Sequence, residues 1–194
     1  VADPVPVAAS LGSLVSGSID QPGQVRRYTL VLDTARQVYF DTVGSSGDGS
    51  LTWSLGNASG SVVNARRFDQ SNAYDLYGNG VLFNLAAGSY ELAIDGTGAF
   101  TGNFSFRLLD TAADATAIAL DTTVVANLDP ATSTRLYRFE GTAGQQIYID
   151  MLGSTGSVPY WRVIDPLGTV LQDVSYGGYD KDVTTLTSTG SYLL

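Results

Sequence analysis

The chain has 194 residues, 44% of them hydrophobic and 15% charged, enough for one large β domain or two modules of about 100 residues each. Its net charge is −9 with a pI near 4.2, and its few cations are scattered apart from Arg26-Arg27 and Arg66-Arg67, which excludes a nucleic-acid backbone as partner. Cysteine and histidine are both absent. That removes disulfides, thiolate catalysis, the usual base of a serine nucleophile and the common zinc sites. No run of residues approaches the roughly 18 apolar positions of a membrane span, so no membrane insertion is expected.

Taken in order, the segment Val1-Ala2-Asp3-Pro4 has neither an initiator Met nor an apolar signal core, and we expect it to belong to a processed or internal piece of a longer protein. Strands are then predicted over 13–19, 26–32, 37–43, 51–55, 61–64, 80–85, 88–94 and 103–109. Each is a short β-rich run with period-2 alternation, and Gly, Asp, Asn or Ser clusters separate them. No stretch has a helical period. Strands about ten residues apart with Gly-rich turns predict a sandwich or jelly roll. The run Asp110-Thr111-Ala112-Ala113-Asp114-Ala115-Thr116 reads as a linker.

Beyond it the pattern starts again. Tyr28, Tyr39 and Asp41 recur 109 residues later as Tyr137, Tyr148 and Asp150; Trp53 and Gly60 recur 108 later as Trp161 and Gly168; Gly88 and Tyr90 recur 102 later as Gly190 and Tyr192. The drift falls between predicted strands, where length changes are tolerated. The expected organisation is all-β: two tandem jelly-roll-like sandwich modules over 1–112 and 113–194. Trp53 and Trp161 should be buried in equivalent places. The first copy runs on through Phe104-Ser105-Phe106-Arg107-Leu108, and no counterpart follows Leu194. The second module is therefore expected to lack its closing strand, to be the less stable, and to pair with or exchange a strand with another segment.

The order Tyr-x-Phe, Gly-Gln-x-Ile-Tyr-Ile-Asp, Trp-x-x-x-Asp-Pro-x-Gly, Gly-Ser-Tyr-x-Leu-x-Ile-Asp-Gly and Thr-Gly-x-Phe-Ser-Phe resembles bacterial pre-peptidase C-terminal (PPC-like) domains. The resemblance implies jelly-roll modules carried by secreted proteases and large surface proteins. It implies a secreted or cell-surface location and an accessory, non-catalytic role. Some members of that family bind collagen or carbohydrate, and some bind calcium.

The residues themselves favour binding over catalysis. Lys181, the one lysine, stands in the acidic turn Asp180-Lys181-Asp182, a poor place for a depressed pKa. A paired-carboxylate glycosidase is the remaining enzyme reading, against which the aspartates read as turn caps. Calcium is the ion that Asp48-Gly49, Asp95-Gly96 and Asp173 with Asp180 and Asp182 would suit; the plainer reading is solvated turn aspartates. Asp41 and Asp150 are expected to accept fixed bonds from loop amides. The ligand candidates are Tyr74, Tyr77, Tyr176 and Tyr179, flat amphipathic side chains in matched Gly/Asp loops that could take an extracellular glycan or protein. The alternative is that these tyrosines cover the sandwich margin. The functional expectation is a module pair of an exported bacterial protein for adhesion, spacing or ligand presentation. The alternative is a carbohydrate- or peptide-binding accessory module of a secreted hydrolase.

Overall fold

The computed structural model describes residues 4–47, 49–71, 80–156, 159–174, 180 and 182–194. It is all-β. Chain contacts divide it into two compact units, Val1–Ala113 with Thr132–Thr134, and Asp114–Ala131 with Arg135–Leu194.

The first unit carries β1 (Val7–Ala9), β2 (Val15–Ile19), β3 (Val25–Leu32), β4 (Arg36–Ser45), β5 (Leu51–Asn57), β6 (Gly60–Arg67), β7 (Leu82–Leu85), β8 (Gly88–Gly96) and β9 (Gly102–Asp110). One sheet has the order β1-β3-β8-β5-β6 and the other β2-β9-β4-β7. All eight strands expected from alternation are present. In β5, Leu51, Trp53 and Leu55 are buried while their neighbours are half-buried, the inward and outward alternation of a strand facing a core. Trp53 from one sheet stacks on Phe40 from the other, with centroids 3.9 Å apart and an interplanar angle of 7°. Phe106 lies 5.3 Å from Phe40 and receives the edge of Tyr28 at 5.4 Å. This aromatic stack joins the layers. Gly17 in β2 is part of the same packing, because a Cβ there would run into the Tyr28 hydroxyl and the Phe104 ring.

The Trp53 indole N–H donates to Ser71 Oγ at 2.6 Å, and that hydroxyl donates to the Arg67 carbonyl, also at 2.6 Å. Both Trp53 and Ser71 are fully enclosed. Ser71→Ala strands a buried donor, so it should cost about 2 kcal/mol, read as a lower urea midpoint of the first unit. An unchanged midpoint would mean that another acceptor takes the indole proton.

The second unit carries β10 (Thr116–Ala117), β11 (Tyr137–Gly141), β12 (Gln146–Ile147), β13 (Trp161–Ile164), β14 (Val170–Val174), β15 (Thr184–Thr185) and β16 (Gly190–Leu193). Its larger sheet has the order β10-β11-β16-β13-β14, the sequence of strands seen in β1-β3-β8-β5-β6. The registers correspond as well. Val7 lies beside Tyr28 in a parallel pair, as Thr116 does beside Tyr137, and Leu30 opposes Tyr90 as Phe139 opposes Tyr192. The hairpin ends agree too: Asn57 Oδ1 accepts from the Ser59 amide and Asp165 Oδ1 from the Leu167 amide, each two residues on. Tyr90 and Tyr192 both donate a hydroxyl proton to the carbonyl four residues back, at Ala86 and Ser188.

Several expectations need correction. β1 and β10 were not foreseen, and the expected linker 110–116 is structured at both ends. Asp110 closes β9, is buried, meets Arg36 at 3.1 Å and accepts from the Ala112 amide; Thr116 opens β10. Gln146 pairs with Thr185 where Gln37 pairs with Asn84, so the second unit has one residue more before Gly190 than a constant offset allows. Trp161 is only half-buried, unlike Trp53. Residues 124–128, at the offset of β2, form no strand.

Candidate functional site

Tyr74, Tyr77, Tyr176 and Tyr179 lie outside the described residues, as do Asp48 and the side chain of Asp173. Of the remaining calcium candidates, Asp95 is exposed near the end of β8, and Asp180 and Asp182 are exposed. Among the described residues no three acidic side chains are grouped to hold a metal.

Asp180 does collect partners. Its Oδ1 accepts the Met151 amide at 2.8 Å, which, with a bond from the Tyr148 hydroxyl, holds its carboxyl below the usual range. The same bond to Asp180, reinforced by the charges of Asp180, Asp150 and Asp182, pushes the Tyr148 phenol up. Tyr148 is 53% exposed and Asp150 is exposed. Asp150, expected like Asp41 to accept loop amides, is exposed and shares a side-chain hydrogen bond with Asp180.

Asp41 is different. Alternation in β4 sends Val38 and Phe40 into the core and Asp41 to the opposite face, where it is 0% exposed. β9 brings Arg107 directly opposite it. Arg107 Nε and Nη2 donate to Asp41 Oδ2 at 2.8 and 2.6 Å, and Oδ1 accepts the Thr134 amide at 3.0 Å. Arg107 Nη2 also donates to the Thr134 carbonyl at 3.0 Å, the Thr132 hydroxyl donates to the Val43 carbonyl, and Ser133 between them is buried. Burial raises the Asp41 carboxyl, with the Thr134 and Arg107 bonds acting the other way. The loop-amide bond is as expected. The arginine was missed, since Asp41 and Arg107 are 66 residues apart and only the register joins them. This carboxylate is committed to a clamp that seats Thr132–Thr134.

A second feature lies along β6. Ala65 has φ of 46°, the left-handed region that a non-glycine residue enters at a cost of about 1 kcal/mol. The ladder to β5 slips there, and the Ala65 amide donates to Ser54 Oγ at 2.9 Å. This bulge bounds an open cleft of about 570 Å³ lined by Asn64, Arg66, Arg67 and Gln70 among others. Arg66 covers the Trp53 and Phe83 rings at 5.9 and 5.2 Å and donates to the Gly80 carbonyl; Arg67 forks onto Asp69. Among the described residues, this arrangement sets planar polar groups along the cleft.

The class so defined is a β-sandwich protein, and among the described residues no helix is long and apolar enough to cross a membrane. The sequence matches no family model, and no curated protein matches it. Among solved structures, the fold is similar to the pre-peptidase C-terminal domain of a collagenase from Bacillus anthracis, at 18% identity and a TM-score of 0.41, covering 54% of this chain and 94% of that domain. It is also similar to PliG from Salmonella Typhimurium, a periplasmic inhibitor of g-type lysozyme, at 19% identity and a TM-score of 0.35, covering 53% of this chain and 98% of that one. A PliG mutant from Escherichia coli matches at 14% identity and a TM-score of 0.36, covering 54% and 99%.

Proposed function

We propose that the chain is a non-catalytic pair of β-sandwich modules from an exported bacterial protein, secreted or at the cell surface, serving adhesion, spacing or ligand presentation. The observation that carries this reading is the use of Asp41, whose buried carboxylate is bound by Arg107 and Thr134 instead of facing a cleft. Chemistry at neutral pH needs a tuned acid or base within reach of a substrate. The tandem organisation is supported by the strand order and registers that the two units share.

The alternative, a glycan- or peptide-binding accessory module, is favoured by the β6 cleft, whose lining of Asn64, Arg66, Arg67 and Gln70 is followed closely in the chain by Tyr74 and Tyr77. The 194-residue chain should show no turnover on a panel of peptidase and glycosidase substrates; turnover would overturn the non-catalytic reading. On an array of glycans and matrix proteins, any retained partner should be lost in Tyr74→Ala/Tyr77→Ala with the melting curve unchanged. Coincident loss of binding and stability would assign those tyrosines to packing.

A further inference from the structure

The two sheets of the first unit leave a groove between β1, at the edge of one sheet, and β2, at the edge of the other. Its volume is about 410 Å³, within the range of small-molecule sites. The walls are aliphatic. Val7 stands beside Tyr28 in the parallel pair of β1 with β3, so Val5 falls beside Arg26, and residues two apart share a face. Leu14 and Val15 line the groove from the other sheet. Val5, Val7 and Leu14 are 84%, 57% and 58% exposed. Large apolar side chains gathered around one concavity mark a binding surface.

Two donors line the same groove. Tyr28 is 4% exposed, with its ring edge-on to Phe104 and Phe106 and its hydroxyl over Gly17, where a Cβ would collide with the oxygen. That hydroxyl has no hydrogen-bond partner among the described residues. Burial pushes the phenol up, against the charge of Arg26, and so keeps it a proton donor at neutral pH. Arg26 is anchored by Nε to the Ser18 carbonyl and by Nη2 to Asp20 Oδ2, both at 2.7 Å. The N–H groups of its Nη1 meet no acceptor among the described residues. An enclosed donor without a partner carries a desolvation penalty that an incoming acceptor removes.

We propose that this groove binds a free fatty acid, its carboxylate on the Tyr28 hydroxyl and Arg26 and its alkyl tail along Val7, Val15 and Leu14. A phenol and a fixed guanidinium are both donors, and a carboxylate offers each an oxygen in a charge-assisted bond. From Leu14 to Ser18 the chain spans about 13 Å, which sets a tail of roughly ten carbons. A peptide strand fits less well. Pro4 and Pro6 remove main-chain donors on either side of Val5, and the Ser18 carbonyl is already taken by Arg26. Strand addition draws its affinity from such main-chain bonds, whereas an alkyl tail needs none.

The test is calorimetric titration of the whole chain with decanoate below its micelle concentration. Saturable one-to-one binding is expected, together with a rise in the melting temperature of the first unit by mass action. Octanoate should bind roughly tenfold more weakly, for two methylenes fewer in the groove. Methyl decanoate, which has lost the charge, should also bind roughly tenfold more weakly. Tyr28→Phe should weaken decanoate by roughly tenfold. Leu14 is exposed, so Leu14→Asp should weaken it comparably with the melting curve unchanged, and this variant decides the matter if Tyr28→Phe lowers stability. Binding that does not saturate, that ignores the head group, or that survives Leu14→Asp would overturn the proposal. So would displacement of decanoate by lower concentrations of an apolar peptide, which would give the groove to a polypeptide. The glycan and turnover assays address a different site, so either reading can fail alone.

Discussion

Phe106→Ala should lower the stability of the first unit by about 4 kcal/mol, a drop in its melting midpoint of about 15 °C. The ring is 0% exposed and contacts Phe40, Tyr28 and Phe68 at once, so its removal leaves a cavity shared by both sheets. The stack cannot close over the gap easily: Phe40 is held flat on Trp53, and Trp53 is pinned by its bond to Ser71. Ile149→Ala, at the Phe40 position of the second unit, should cost only about 1 kcal/mol, because that side chain is already half-buried. Calorimetry on the two variants separates the transitions. A shift of only a few degrees for Phe106→Ala would show that the layers are joined by something other than this aromatic stack.

The contrast between those two positions also marks what could be read in the residues alone. Alternation identified β5 and β8, since Leu51, Trp53, Leu55 and then Tyr90, Leu92, Ile94 fall on one face with polar or small residues between. It could not identify β1 or β10, because Val-Ala-Ala and Thr-Ala are too short to have a period. These strands exist because the edges of β3 and β11 offer parallel ladders to chain that passes beside them. The internal repeat led to the correspondence of registers but not to Trp161 being half-buried, since burial depends on which strands are there to cover it.

The candidate site was legible to the same degree. That Asp41 accepts a loop amide followed from a carboxylate placed on a strand with no local partner. That its second partner is Arg107 depends on β9 lying next to β4, a fact of topology. Asp150 carries the same residue type at the same repeat position and has a different fate, exposed beside Asp180 instead of clamped. Sequence position fixed the direction of the side chain. The neighbouring strand decided its chemistry.

Arg107→Met should cost about 3 kcal/mol at neutral pH, the scale for breaking an ion pair whose carboxylate stays enclosed. The side chain of Arg107 keeps some exposure while Asp41 has none, so the penalty falls on Asp41. Burial already raises the Asp41 carboxyl in the folded protein, with the Thr134 and Arg107 bonds opposing it. The fold thus holds this proton more tightly than the unfolded chain does, and this group's contribution to stability declines as pH rises from the ordinary aspartate range through the raised folded value. Without Arg107 the folded value rises further and the window extends upward. The deficit of Arg107→Met relative to the parent should therefore be small near pH 4, where the carboxyl is protonated in the variant, and reach its full size by neutral pH. Adding Asp41→Asn should recover most of it at pH 7, because the amide oxygen can still accept the Thr134 N–H while the buried charge is gone. Urea midpoints of the three proteins at the two pH values decide the matter. A deficit that is independent of pH, or one that Asp41→Asn deepens, would mean that the arginine acts through its packing alone.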